Sequence, residues 1–295
     1  MSAVWLIVVA SLLFATMGVC VKLASSHYGS AEIVMYRGLI GALMIFAVSR
    51  WRGDTLRTAV PGRHLVRSAT GVTALCLWFY AIGGLPLATA MTLNYTSSLW
   101  IAVWLVGVAA LFDHGRVDKR LVVAALSGFV GVVLVLQPTL TQAQWWHGLI
   151  GLLSGVLAAT GYLQVVSLSR AGETESRTVF YFSIGGMLGG AALASFGQWH
   201  AHSATGIALL IAVGVLATVA QLMLTRAYAR GTPLVNASLQ YLGIAFAFVY
   251  GVLLFDERVS WLAAAGMLLI VAAGVRATLL RTAPARRRAD RTPAI

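Results

Sequence analysis

A chain of 295 residues with 59% hydrophobic and 10% charged residues, and a mean hydropathy of +0.85, is excluded from the water-soluble class, where about 25% of residues are charged. Its continuous apolar segments match the roughly 20 residues that a helix needs to cross a bilayer, and they lack the short alternation of barrel strands. The net charge of +12 raises nucleic acid as a partner, so the placement of the basic residues has to decide.

Ten spans are expected, starting near Ala3, Ile33, Leu65, Leu87, Leu121, His147, Thr178, Gly206, Leu234 and Trp261. The first follows Met1-Ser2 without a basic n-region and is too long for the apolar core of a signal peptide, so it is expected to be retained. Cys20 and Cys76 fall inside spans and read as small packing residues. Glycines at Gly185, Gly186, Gly189 and Gly190 in the seventh span, and at Gly151 and Gly155 in the sixth, are small-xxx-small pairs that allow close helix approach.

The loops on one side carry eighteen Lys and Arg, including Arg50, Arg52, Arg57, Arg63 and Arg67 and the final Arg286-Arg287-Arg288, against three on the other, Lys22, Arg37 and Arg258. That asymmetry is a positive-inside signal and places both termini in the cytoplasm. Basic residues placed in this way encode topology and lipid contact, so no nucleic-acid partner is expected.

The two halves repeat. "GGLPLATAMTLNYTSSLWIAVWLVGVAALFDHGRV" is echoed by "RGTPLVNASLQYLGIAFAFVYGVLLFDERV", and Gly18 with Gly161, Asp113 with Asp256 and Gly131 with Gly274 are each 143 positions apart. A five-span unit repeated must run the opposite way the second time, and the loop charges require the same inversion. The predicted fold is therefore an all-α integral membrane protein of ten transmembrane helices in two inverted five-helix repeats. Residues 1–140 form the first repeat, 141–281 the second, and 282–295 a basic cytoplasmic tail. Such an arrangement puts a substrate path at the interface of the halves.

"FATMGVCVKLASSHYGSAEIVMYRGLIGAL", "LNYTSSLWIAVWLVGVAALFDHGRVDKRLVVAALSGFVGVVLV" and "LLFDERVSWLAAAGMLLIVAAGV" resemble the ten-helix EamA-type members of the drug/metabolite transporter superfamily. Asp113-His114 departs from the acidic Glu usual before the fifth span, whereas the second copy keeps Glu257. The resemblance covers nearly the whole chain. It implies a carrier of small metabolites, with a cavity lined by spans one, three and four and their mates six, eight and nine. Several bacterial members, the YddG-type exporters among them, are associated with amino-acid efflux.

Polar stripes on those helices supply candidate substrate-binding residues, because residues at i, i+3, i+4 and i+7 share a face. Span four offers Asn94, Tyr95 and Ser98, and its mate offers Ser238 and Tyr241. Span eight offers Gln221 and Thr225, and the repeat maps Thr225 onto Trp78 of span three. Span six offers Thr160 and Gln164, whose mates on span one begin with Met17; Tyr162 lies on a different face and ranks below them. Interhelical hydrogen bonding is the competing role for each polar residue taken alone.

All nine acids lie at or beyond span ends, which leaves facilitated movement down a gradient open. Lys22 and Arg37 are the basic residues expected to reach inward, and Lys22 is expected to pair with Glu32 at the outer rim. Phosphorylated substrates therefore rank low and a neutral or zwitterionic solute is favoured. No HExxH or GxSxG string occurs and the six histidines sit in loops or at span ends, so neither enzyme chemistry, a cofactor nor a metal is expected. The reading is an exporter of small amphipathic metabolites in a bacterial inner membrane, foremost amino acids with aromatic ones among them, working by alternating access. A multidrug or quaternary-cation efflux carrier is the alternative, with a membrane enzyme or a scaffold below it.

Overall fold

A computed structural model describes residues 3–97, 99–101, 103–104, 123, 127–128, 130–131, 134, 142–230, 236, 239–258 and 260–289. The long helices in these stretches are α1 (Ala3–Ala24), α2 (Ser30–Arg52), α3 (Pro61–Gly84), α4 (Leu87–Tyr95), α5 (Gln142–Arg170), α6 (Glu175–Ala194), α7 (Ala204–Arg230), α8 (Leu242–Phe255) and α9 (Trp261–Ala289). Within α1, α2, α3, α5 and α7 lie spans long and apolar enough to cross a membrane. Most of the predicted fifth span lies outside the described residues.

α2, α3 and α6 begin three or four residues before the expected starts because their opening turns are polar or capped. Glu32 turns back to accept from the Gly29 amide at 3.0 Å, Pro61 opens α3, and the Thr174 hydroxyl accepts from the Arg177 amide at 3.3 Å. Each satisfies or removes a backbone donor that the first turn leaves unpaired. At the other end of α2, Gly53 takes the left-handed conformation at φ 73° and its amide closes onto Arg50 and Ser49, ending the helix. The last helix runs unbroken through residues 282–289, so the first part of the expected basic tail is helical.

Packing follows the inverted symmetry. If span one mates with span six and span three with span eight, a contact between spans one and eight must be matched by one between spans six and three. The corresponding pairs, α1 against α7 and α5 against α3, are both extensive, and α2 packs on its own mate α6. α4 likewise meets its mate α8. The molecule is an all-α integral membrane protein whose halves interlock across this pseudo-two-fold relation.

The α2–α6 crossing is close because it is built on glycine. A Cβ on Gly38 would run into the Met187 backbone and stand 2.6 Å from the Ser183 carbonyl oxygen, and one on Gly190 would stand 2.6 Å from the Met35 nitrogen. Backbones can approach this far only where no side chain intervenes. Gly155 serves the same end on α5, where a Cβ would lie 2.6 Å from the Leu93 carbonyl oxygen of α4.

Candidate functional site: a cavity at the centre of the helix bundle

Both members of the α4–α8 pair carry a turn, at Thr96 directly after α4 and at Gln240–Tyr241 directly before α8. After Tyr95, Thr96 forms a turn whose amide is shared between the Thr92 and Leu93 carbonyls at 3.1 and 3.3 Å, and its own carbonyl accepts from Leu99 and Trp100. In the second half Gln240 and Tyr241 form a turn before α8, with the Gly243 amide bonded to the Gln240 carbonyl at 2.8 Å. The two turns touch: a Cβ on Gly243 would stand 2.7 Å from the Tyr95 hydroxyl oxygen.

Beside this junction lies a cavity of about 60 Å³. Its walls include Trp78 of α3, Asn94 and Tyr95 of α4, Tyr162 of α5, Phe182 of α6 and Gln221 of α7, so both halves contribute. Tyr162 stacks on Tyr228 with ring centroids 5.1 Å apart and 13° between planes. The Tyr228 hydroxyl accepts from Gln240 Nε2 at 2.6 Å, which ties the stacked pair to the second turn. Asn94 Nδ2 donates to Ser154 Oγ at 3.0 Å, fixing the amide against α5.

Five of the residues chosen from sequence therefore meet at one cavity: Trp78, Asn94, Tyr95, Tyr162 and Gln221. Tyr162 is among them despite its lower sequence ranking, because α5 presents it on the side facing α7. Met17 is fully buried in the apolar core outside the cavity lining. Thr160 bonds back to the Val156 carbonyl at 3.3 Å within its own helix. Gln164 accepts from Thr70 Oγ1 at 2.8 Å and lines a separate recess with Arg63 and Ser167. Thr225 is buried but does not line the cavity, and Tyr241 faces a lateral groove between α8 and α9. Ser98 and Ser238 lie outside the described residues.

Arg67 is the wall residue that the sequence hid. Grouped by position with the loop arginines, it instead sits seven positions into α3 at 4% exposure, with its guanidinium folded over Gly71 on the same helix and close to Gly161 of α5. Arg37 of α2 reaches the same cavity, also at 4% exposure. Both guanidiniums lie on the Phe182 ring, Arg67 at 4.2 Å from its centroid and Arg37 at 5.3 Å. The glycine one turn after Arg67 was the available signal, since a bare helix face lets a long side chain curl inward.

Ion pairs fasten the two ends. At the arginine-rich end, Glu173 accepts from Thr58 at 2.8 Å and lies 3.2 Å from His64 Nε2 and 3.6 Å from Arg177 Nη1. Burial pushes the Glu173 carboxyl up, but the hydrogen bond from Thr58 and the neighbouring His64 and Arg177 outweigh it and hold it below the usual carboxylate range. At the opposite end, Lys22 pairs with Glu257 at 2.6 Å, and Glu257 also accepts from the Leu87 amide at 2.8 Å. The expected Lys22–Glu32 pair is thus replaced. Glu32 is held instead by His200 at 2.6 Å, because α1 delivers its lysine toward the start of α4 while Glu32 turns to the 195–203 loop.

The sequence of residues 1–137 matches the EamA-like transporter family. The chain is also 33% identical over 281 residues to the pseudopaline exporter CntI of Pseudomonas aeruginosa, covering 92% of this chain and 94% of that one. The chain belongs to the EamA-like transporter family. Over 175 residues this transporter is 31% identical to a riboflavin transporter of Rhizobium johnstonii, covering 59% of this chain and 56% of the relative. A solved crystal structure shares its fold with a TM-score of 0.68 at 19% identity, covering 94% of this chain and 96% of that one. A small-molecule carrier is the reading common to family and relatives.

Proposed function

We propose that this transporter exports small amphipathic metabolites, amino acids and compounds built on them foremost, by alternating access across a bacterial inner membrane with both termini cytoplasmic. The observation that carries the reading is the meeting of the turns in the two mated helices, where Tyr95 of α4 meets Gly243 of α8 beside the cavity. Interrupted helices at corresponding positions of inverted repeats mark substrate sites at the repeat interface. The aromatic faces of Trp78, Tyr95 and Tyr162 suit an apolar body, and the amides of Asn94 and Gln221 suit a polar head.

A volume of about 60 Å³ is well below the roughly 300 Å³ at the lower limit of small-molecule sites, so substrate must enter a more open arrangement. The ion pairs at the two ends are the groups that have to part in turn. Two guanidiniums in the wall weigh against a quaternary cation, which they would repel. Counterflow in liposomes tests the reading: labelled phenylalanine and glutamate are expected to exchange. Exchange of a quaternary cation or a sugar with neither amino acid moving would refute it.

A further inference from the structure

Arg37 and Arg67, both buried, place two permanent positive charges at one cavity, since guanidinium does not deprotonate in proteins. No acidic residue is among the residues lining it. The described acids are engaged elsewhere or lie at exposed helix ends: Glu32 with His200, Glu173 with His64 and Arg177, Glu175 with Arg226 and Glu257 with Lys22, while Asp54 and Asp256 are exposed.

What the two arginines do touch compensates them poorly. Arg37 Nη2 reaches Gln221 Oε1 at 3.5 Å, both rest on the Phe182 ring, and the buried Nε of each has no hydrogen-bond partner. A buried charge without a counter-ion is costly, and a second like charge beside it adds to the cost. Structural arginines avoid this by pairing with acids. A pair left uncompensated at the centre of a carrier is matched to an anion that comes and goes.

We infer that Arg37 and Arg67 form a paired anion site, and that the substrate carries at least two carboxylates, one for each guanidinium, on an apolar or aromatic body. The inference rests on the transporter reading above and narrows its substrate class. Each guanidinium offers a planar fork of donors that fits one carboxylate in two-point fashion. Because the arginines come from α2 and α3 while Tyr162, Phe182 and Gln221 come from α5, α6 and α7, such a substrate bridges the two halves.

The test uses the full chain in liposomes with four labelled probes that share a ring: phenylalanine amide, phenylalanine, N-succinyl-phenylalanine and phenyl phosphate. Saturable quenching of tryptophan fluorescence in detergent reads binding of the same probes. N-succinyl-phenylalanine is expected to bind and exchange best. Arg37→Gln and Arg67→Gln should each lower its flux, relative to phenylalanine amide, by about tenfold or more, the size of a lost charged hydrogen bond. Arg67→Lys, which keeps charge without the fork, should recover part of the loss. The relative flux is a readout that a merely structural arginine would not move.

Preference for phenylalanine amide or phenylalanine, or a flux ratio unchanged in variants that elute as folded protein, overturns the paired site. Preference for phenyl phosphate overturns the two-carboxylate assignment in favour of a phosphoryl group. Binding of the dicarboxylate with no exchange of any probe sinks the transport reading and leaves the anion site standing. Exchange of the other probes without dicarboxylate binding does the reverse.

Discussion

Lys22 Nζ lies 2.6 Å from Glu257 Oε1, joining the end of α1 to the residues that follow α8. The lysine also donates to the Leu85 carbonyl at 2.7 Å, and the carboxylate accepts from the Leu87 amide. Removing the carboxylate therefore frees both a cation and the first turn of α4. With Leu75→Cys as a reporter on the cavity wall and both native cysteines replaced by alanine, Glu257→Gln is expected to raise labelling from the Lys22 end by about tenfold. Unchanged labelling would show that this pair does not hold the end shut.

Glu173 makes the opposite end sensitive to acid. Because its folded pKa is depressed below that of a free carboxyl, its contribution to stability is complete above the ordinary carboxylate pKa and is lost as pH falls through the lowered one. Glu173→Gln is expected to melt below wild type at neutral pH, with the gap narrowing as pH falls below 4.5. A thermal melt series of both proteins in detergent checks this, and a gap independent of pH would contradict it.

Gly38 and Gly62 give opposite answers to the same substitution. At Gly38 an added methyl meets the α6 backbone, so Gly38→Ala is expected to cost about 1–3 kcal/mol. At Gly62 it meets nothing within 4 Å, so Gly62→Ala in the first turn of α3 is expected to be neutral or to gain up to about 1 kcal/mol. Paired unfolding measurements decide both.

Trp78 and Gln164 separate cavity wall from interhelical glue. Gln164→Ala removes the acceptor of Thr70 and is expected to cost about 1 kcal/mol of stability while leaving flux within about twofold. Trp78→Ala opens the cavity wall and is expected to lower flux of an aromatic probe several-fold more. Equal effects on flux would remove the distinction drawn between the two positions.

The architecture was legible because two independent signals agreed: the 143-residue spacing of Gly18 with Gly161 and the one-sided arginines both require inversion. Helical periodicity picked out Asn94, Tyr95 and Gln221, and the repeat Trp78, all of which line the one cavity. Periodicity failed where a side chain's partner is not on its own helix. Gln164 shares a stripe with Thr160 but is claimed by Thr70 of α3. Loop arithmetic hid Arg67, since position near a span end says nothing about which way a long side chain turns, and the space that receives it is set by Gly71 and Gly161. The Lys22–Glu32 expectation failed for a similar reason: proximity in sequence was outweighed by the return of the chain after α8 to the start of α4.

The turn at Thr96 bears on how such a molecule can move. There the winding of the fourth span tightens locally, with the Leu99 amide reaching back three residues at 2.8 Å while Trp100 reaches back four at 3.1 Å. A helix wound to two pitches at one point works as a knuckle, flexing there in preference to the regular turns on either side. With Tyr95 seated against Gly243 of the mated helix, a bend at this knuckle would press directly on the turn of the other half.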